Sequence, residues 1–203
     1  LGWMSNNTTT DHDSDGCQDA TEDDDDDNDG VSDLSDLCSV GDIGWTSNNS
    51  TDNDSDGCQD ATEDDDDDND GFDDQDDGCD FTFGDSTEDR GGCIDSDGDG
   101  WSDPDESWSW SDGADNYTLD PSQWSDSDGD GYGDNPNGTG ADDCPEEFGI
   151  SISDRLGCPD SDGDGLSNDF DDFPLDADRN FDNDSDGFDD DLDDFCPGVT
   201  GSS

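Results

Sequence analysis

The chain contains no lysine, three arginines (Arg90, Arg155 and Arg179) and one histidine, His12. A protein that grips nucleic acid neutralises phosphates with clustered Lys and Arg, so no nucleic-acid partner is expected. The 67 Asp and Glu, with a formal net charge of −64, repel phosphate outright. Apolar residues make up 23%, against roughly 45–50% in an ordinary globular domain. A core that small does not offset chain entropy of about 1–2 kcal/mol per residue. No apolar run approaches the roughly 18 residues of a membrane-spanning helix, so no membrane span is expected. There is no C-x-x-C, which argues against thiolate metal sites. His12 has Asn53 as its repeat counterpart, and a position interchangeable with asparagine is not a general base. Acidic pairs occur everywhere and identify no acid–base couple. The chain is therefore read as no enzyme.

Glutamate is also scarce. Only Glu22, Glu63, Glu88, Glu106, Glu146 and Glu147 are glutamates, so 61 of the 67 acids are aspartates. Charge and hydropathy alone place such a chain among disordered ones, but solvation by charge has no reason to avoid Glu. A short carboxylate held near the backbone suits oxygen coordination of a hard cation. Eight cysteines and six tryptophans likewise point away from a disordered acidic tail.

Repeats organise what is present. Residues 3–38 recur at 45–79, so that Gly16, Cys17, Gly30 and Cys38 return as Gly57, Cys58, Gly71 and Cys79. "CDFTFGDSTEDRGGCIDSDGDG" from Cys79 recurs as "CPEEFGISISDRLGCPDSDGDG" from Cys144. "LDPSQWSDSDGDG" from Leu119 recurs as "LDADRNFDNDSDG" from Leu175, after an insertion around "ESWSWSDGA" in the earlier copy. Four units follow: 1–41; 42–79, its duplicate; 80–143, with the Trp-rich insertion; and 144–203, with the C-terminal tail.

Beneath them runs a smaller unit, D-x-D-x-D-G-x-x-D-x-x-D/E, eight times over. Its acidic places are Asp11, Asp13, Asp15, Asp19 and Glu22 in the first loop. They are Asp25, Asp27, Asp29, Asp33 and Asp36 in the second, and Asp52, Asp54, Asp56, Asp60 and Glu63 in the third. The fourth has Asp66, Asp68, Asp70, Asp74 and Asp77; the fifth has Asp95, Asp97, Asp99, Asp103 and Glu106. The sixth has Asp126, Asp128, Asp130 and Asp134, with Asn137 at its last place. The seventh has Asp160, Asp162, Asp164, Asn168 and Asp171, and the eighth Asp182, Asp184, Asp186, Asp190 and Asp193. Glycine holds the sixth place every time. Oxygens at the first, third, fifth, ninth and twelfth places, with a main-chain carbonyl at the seventh, match the way a loop wraps Ca²⁺, and the glycine permits the sharp turn. The seventh place is always apolar or sulfur-bearing: Cys17, Val31, Cys58, Phe72, Trp101, Tyr132, Leu166 and Phe188. Those side chains are expected in a thin strip of core.

The run "DDDDDNDG", at Asp23–Gly30 and Asp64–Gly71, is then a junction where one loop opens as the preceding one closes. The loops supply 38 carboxylates (40 places less Asn137 and Asn168), which leaves 29 of the 67 acids. Eight Ca²⁺ would bring −64 only to −48, so more than eight ions are expected. Flanks rich in Gly, Pro, Asp, Ser and Asn disfavour helix. The expected fold has little regular secondary structure and consists of tandem calcium-wrapped loops stapled by disulfides, with small irregular or β content.

"DDDNDGVSDLSDLC" (Asp25 to Cys38) and "DNDSDGFDDDLDDFCP" (Asp182 to Pro197) resemble thrombospondin type 3 repeats, and the resemblance covers most of the chain. It implies a rod of turns wound around many calcium ions, an extracellular or cell-surface location, and a structural or adhesive role. The duplicated "GCQDATE" units, the cysteine-bounded "FGDSTEDRGG" segments and the Trp-rich insertion set the chain apart from animal members, and it is read as microbial.

Eight cysteines in such a chain imply an oxidising compartment. Cys79–Cys93 and Cys144–Cys158 enclose the same pattern and are expected to close locally. Cys38 with Cys58 leaves Cys17 and Cys196. Laying the tail "CPGVTGSS" before the head "LGWMSNNTTTDHDSDGC" reproduces the Cys38–Cys58 segment. This suggests head-to-tail self-association into a filament, with Cys196 bonded to Cys17 of the next subunit. The rival scheme pairs Cys17 with Cys38, Cys58 with Cys79, Cys93 with Cys144 and Cys158 with Cys196 in one chain. Among N-x-S/T sequons, Asn6, Asn7, Asn48 and Asn49 lie in polar linkers and are the candidates for glycans. Trp3 and Trp45 are repeat equivalents expected to act as packing anchors. Trp101, Trp108, Trp110 and Trp124 crowd one region, where packing competes with sugar or subunit binding. A start at Leu1 fits a mature or excised segment. Three functions compete: a subunit of an extracellular filament or surface fibre, a rigid stalk or spacer of a larger adhesin, and an acidic calcium buffer.

Overall fold

A computed structural model describes residues 10–195 and 198. The described residues form turns and bends, with no helix or strand and a single isolated parallel bridge between Gly133 and Ala141. The chain divides into two units, Leu1–Asp95 and Ser96–Ser203.

The eight loops share one backbone. Every sixth-place glycine has φ between +90° and +102°, which a residue with a Cβ adopts only under strain. Every fourth place is left-handed as well: Ser14, Asn28, Ser55, Asn69, Gly98, Gly129, Gly163 and Ser185, with φ from +57° to +81°. Two left-handed residues per loop coil the chain tightly enough to turn three successive acidic side chains inward.

Hydrogen bonds within each loop follow from this coil. The fifth-place carboxylate accepts the N–H of the seventh place in all eight loops, from Asp15–Cys17 at 2.6 Å to Asp186–Phe188 at 3.1 Å. The ninth-place Oδ1 accepts the N–H of the second place in all eight, between 2.9 and 3.3 Å. Asn168 makes this bond as well as any aspartate does, because only a carbonyl-type oxygen is needed.

The interior is unusual. Among the described residues the buried apolar ones are Cys58, Cys93, Ala114 and Cys158, whereas sixteen polar residues are buried, eleven of them aspartates. Large apolar side chains such as Leu34, Leu119 and Leu175 stand in solvent. The seventh-place side chains are all at least half-buried, and Trp101 stacks on Trp124 with centroids 6.0 Å apart.

Disulfides join Cys38 to Cys58, Cys79 to Cys93 and Cys144 to Cys158. The monomer-only scheme fails for this reason: each of its four bridges needs a cysteine already committed to a nearer partner. Loops of 14 to 20 residues contribute on the order of 3 kcal/mol each by restricting the unfolded chain. Cys17 carries no disulfide; Cys196, Trp3, Asn6 and Asn7 lie outside the described residues. In the two fourteen-residue segments a fully buried serine pins the bridge. Ser86 and Ser151 accept the N–H of Cys93 and Cys158 and donate to the carbonyls of Arg90 and Arg155.

Candidate metal centres

The first three acidic places of a loop come together. In the triads Asp11/Asp13/Asp15, Asp25/Asp27/Asp29 and Asp52/Asp54/Asp56, one oxygen from each residue lies within 4.8 Å of the others. Asp11, Asp27, Asp29 and Asp52 are at most 1% exposed. Each first-place carboxylate caps the coil. In the sixth and seventh loops Asp126 and Asp160 accept two N–H groups apiece, from Gly129 and Gly131 and from Gly163 and Gly165. Third-place Oδ1 atoms accept the fifth-place N–H, as in Asp68–Asp70 and Asp128–Asp130 at 3.1 Å.

These bonds use one side of each carboxylate and leave the other aimed inward. The Oδ2 atoms of Asp29, Asp68, Asp128, Asp162 and Asp164 are buried without a hydrogen-bond donor. Ionised oxygens stripped of water are costly unless a positive charge faces them. With three arginines in the chain, that charge has to come from solution. The donor set of these triads is all oxygen, which suits a hard cation better than a thiophilic metal.

The carboxylate that closes each loop is not always at the twelfth place. Its backbone mark is an N–H donated to the eighth-place carbonyl, a bond that the twelfth-place Glu22, Glu63 and Asp193 also make, at 2.8, 2.9 and 3.2 Å. Asp23 and Asp64 make this bond at 3.2 and 3.3 Å, and Asp77, Asp115, Asp142, Asp171 and Asp194 at 2.9 to 3.0 Å. Its side-chain mark is an Oδ1 that accepts the N–H two residues on: Asp23–Asp25, Asp36–Cys38, Asp64–Asp66, Asp77–Cys79, Asp115–Tyr117, Asp142–Cys144 and Asp171–Phe173. So Asp36, Asp77 and Asp171 stand at the twelfth place, while Asp23 and Asp64 lie one residue later. Asp115 and Asp142 return to the fifth and sixth loops after excursions of several residues.

The twelfth-place residues of those loops lie elsewhere. Glu22, Glu106 and Asn137 are exposed. Glu63 accepts the N–H of Asp42 at 2.5 Å. Asp193 is taken by Arg179, 2.8 Å away.

Charge crowding follows the closers. Burial, with the like charges of Asp99, Asp97 and Asp103, pushes the Asp115 carboxyl up to about 7. Burial first and neighbouring aspartates second push Asp36 and Asp64 up to about 6, and Asp23, Asp77, Asp142 and Asp171 shift in the same direction. A carboxylate that resists ionising in an anionic pocket is one that a cation stabilises.

The clamp around the closers is built three times. Asp36, Asp77 and Asp142 lie two residues before Cys38, Cys79 and Cys144. Each packs on a glycine that precedes the partner cysteine: Gly57, Gly92 or Gly157. A Cβ on any of these glycines would overlap the carboxylate. At Gly16, the twin of Gly57 beside the free Cys17, nothing among the described residues lies within 4 Å of a Cβ.

The ninth-place oxygens are clips on the loop mouth. In the sixth loop both oxygens of Asp134 are engaged by Ser127, through its N–H and its hydroxyl, and the fifth loop presents the same arrangement with Ser96 and Asp103. Asp134→Asn is therefore expected to leave the bound-calcium count unchanged and the affinity within about threefold. Asp142→Asn is expected to remove one ion, because a charged ligand oxygen is lost. Native mass spectrometry across a calcium titration measures both.

The other expected features are placed as follows. His12 directs Nε2 to the Gly41 carbonyl at 2.8 Å, a structural contact. Arg155 pairs with Asp169 at 3.4 Å, and Arg179 lies over the Phe173 ring. Asn48 spends its amide on Thr46 and Thr51, which leaves the exposed Asn49 the freer acceptor for a glycan. Trp101, Trp110, Trp124 and Tyr117 line an open cleft of about 750 Å³. No helix among the described residues is long and apolar enough to cross a membrane.

No family model and no curated protein matches this chain.

Proposed function

We propose that the protein is a non-catalytic, extracellular structural protein resembling thrombospondin type 3 repeats, whose fold is held by calcium and disulfides and whose copies join head to tail into a filament or surface fibre. The observation that carries the reading is the interior. Eleven buried aspartates, several with oxygens that no donor reaches, replace a hydrophobic core. Cation binding energy then serves as folding energy, as it does in small metal-dependent domains. Eight loops on one backbone, three disulfides and few cationic side chains fit a load-resisting material placed where calcium is millimolar and the medium oxidising.

Self-association is supported by the half-built clamp. The tail sequence Asp194-Phe195-Cys196 repeats the spacing of Asp36–Cys38, Asp77–Cys79 and Asp142–Cys144. The head sequence Gly16-Cys17 repeats Gly57-Cys58, with open space at the glycine among the described residues. A contact between unlike ends propagates into a filament when its rotation does not close a ring.

Electron microscopy of the assembled material, with and without a calcium chelator, tests the reading. Continuous fibres in calcium that fray on chelation are the expected result. Isolated particles in calcium would favour a spacer within a longer protein, and formless coil in both states a calcium buffer.

A further inference from the structure

The "DDDDDNDG" junctions contain a carboxylate that the loop pattern does not use. The second place of a loop is His, Asn or Ser elsewhere (His12, Asn53, Ser96, Ser127, Ser161 and Asn183) but Asp26 and Asp67 at the two junctions. Asp26 lies beside the loop before its own. One oxygen each from Asp19, Asp23 and Asp26 falls within 4.8 Å of the others. Asp19 has spent Oδ1 on the His12 N–H and Asp23 has spent Oδ1 on the Asp25 N–H. The Oδ2 of Asp23 and the Oδ1 of Asp26 are buried with no donor.

The duplicate repeats the arrangement. Asp67 is 5% exposed and its Oδ1 has no hydrogen-bond donor. The like charges that act on it are those of Asp74, Asp60, Asp64 and Asp80, of which Asp60 and Asp64 are the counterparts of Asp19 and Asp23. The Asp64 Oδ2 is again buried without a donor. A carboxylate this deeply buried among four others stays ionised only if a cation lies among them. Beside the first copy a cleft of about 500 Å³, lined by Asp19, Asp23, Asp24 and Asp33, gives an ion access from solvent.

We propose that each junction holds a further calcium ion, separate from those in the eight loops, bound by Asp19, Asp23 and Asp26 in the first copy and by Asp60, Asp64 and Asp67 in the second. The inference rests on calcium as the ion of the loops, and it gives the double junction a purpose. One cation ties the close of one loop to the opening of the next, so successive loops lock in register despite their charge.

The test is the bound-calcium count of the full chain by native mass spectrometry and equilibrium dialysis, comparing wild type with the double variant Asp26→Asn, Asp67→Asn. Asparagine stands at the second place of two other loops, so the fold accepts it. A loss of two ions, with the remainder retained, is the expected result. The control Asp65→Asn, Asp73→Asn removes the same charge from exposed positions beside the second junction and is expected to lose none. An unchanged count in the first variant, or an equal loss in the control, overturns the junction sites while leaving the loops intact. A wild type that binds no calcium overturns the loop reading instead. If the double variant loses its whole complement, Asp67→Ser alone decides: a loss of one ion supports the separate site, and any other change overturns it.

Discussion

Gly157→Ala is expected to lower the melting midpoint by more than about 10 °C and to remove the ion of the sixth loop. Gly157 has φ +69°, and a methyl group there would overlap the Asp142 carboxylate while touching that of Asp130. Two costs therefore combine. The left-handed backbone costs an alanine about 1–2 kcal/mol, and the displaced closing carboxylate takes its ion with it. Gly140→Ala separates them, because Gly140 has φ +60° with nothing within 4 Å. It is expected to show the backbone cost alone, about 2–4 °C per kcal/mol in a chain of this size. Calorimetry in saturating calcium, with an ion count on the same samples, reads both effects. Equal losses in the two variants would mean that the contact with Asp142 contributes nothing.

Cys17→Ser is expected to reduce the native assembly to single subunits under conditions where wild type sediments as fibres. Cys17 is half-buried, and its thiol is pushed upward by a hydrogen bond and by charge from Asp15. Such a thiol is a poor spontaneous nucleophile, so pairing depends on a docked partner and an oxidising medium. Cys38→Ser tests the alternative that any lost bridge prevents assembly. It breaks an internal clamp and is expected to destabilise the subunit while leaving the ends able to join. Non-reducing mass analysis of peptides gives the chemical readout, and a Cys17–Cys196 bridge between chains is the expected product.

Much of this arrangement is legible in the sequence, and the reasons are physical. Glycine at every sixth place announces a backbone that other residues do not adopt easily, and all eight loops follow it. The duplicated Cys79–Cys93 and Cys144–Cys158 segments announce local bridges because equivalent stretches close equivalently. The fourth place carried a signal that composition hid. Ser, Asn and Gly alternate there, and glycine and asparagine are the residues that tolerate a left-handed turn best.

The closing carboxylates were harder to see, because a fixed twelve-residue template has no allowance for excursions. It lands on exposed Glu106 and Asn137, while the chain carries Asp115 and Asp142 back from a distance. The usable mark, once each loop's own fifth-place aspartate is set aside, was an aspartate two residues before a Cys, Tyr or Phe, which fits Asp36, Asp77, Asp115, Asp142 and Asp171. The ninth place is nearly always aspartate, yet its bond to the second-place N–H asks only for an oxygen. Asn168 was the warning that an uncharged oxygen suffices there. The sixth loop's excursion also has its own buttress that spacing did not announce: buried Gln123 bonds Asn135 twice and Thr139 once.

The central claim is that divalent cations take the place of a hydrophobic interior, and scanning calorimetry of one sample before and after calcium is stripped tests it most directly. In millimolar calcium the chain is expected to melt cooperatively. Stripped at neutral pH, it is expected to lose that transition or to melt tens of degrees lower, and to recover when calcium returns. A stripped protein that melts as sharply and at the same temperature as the loaded one would contradict the account.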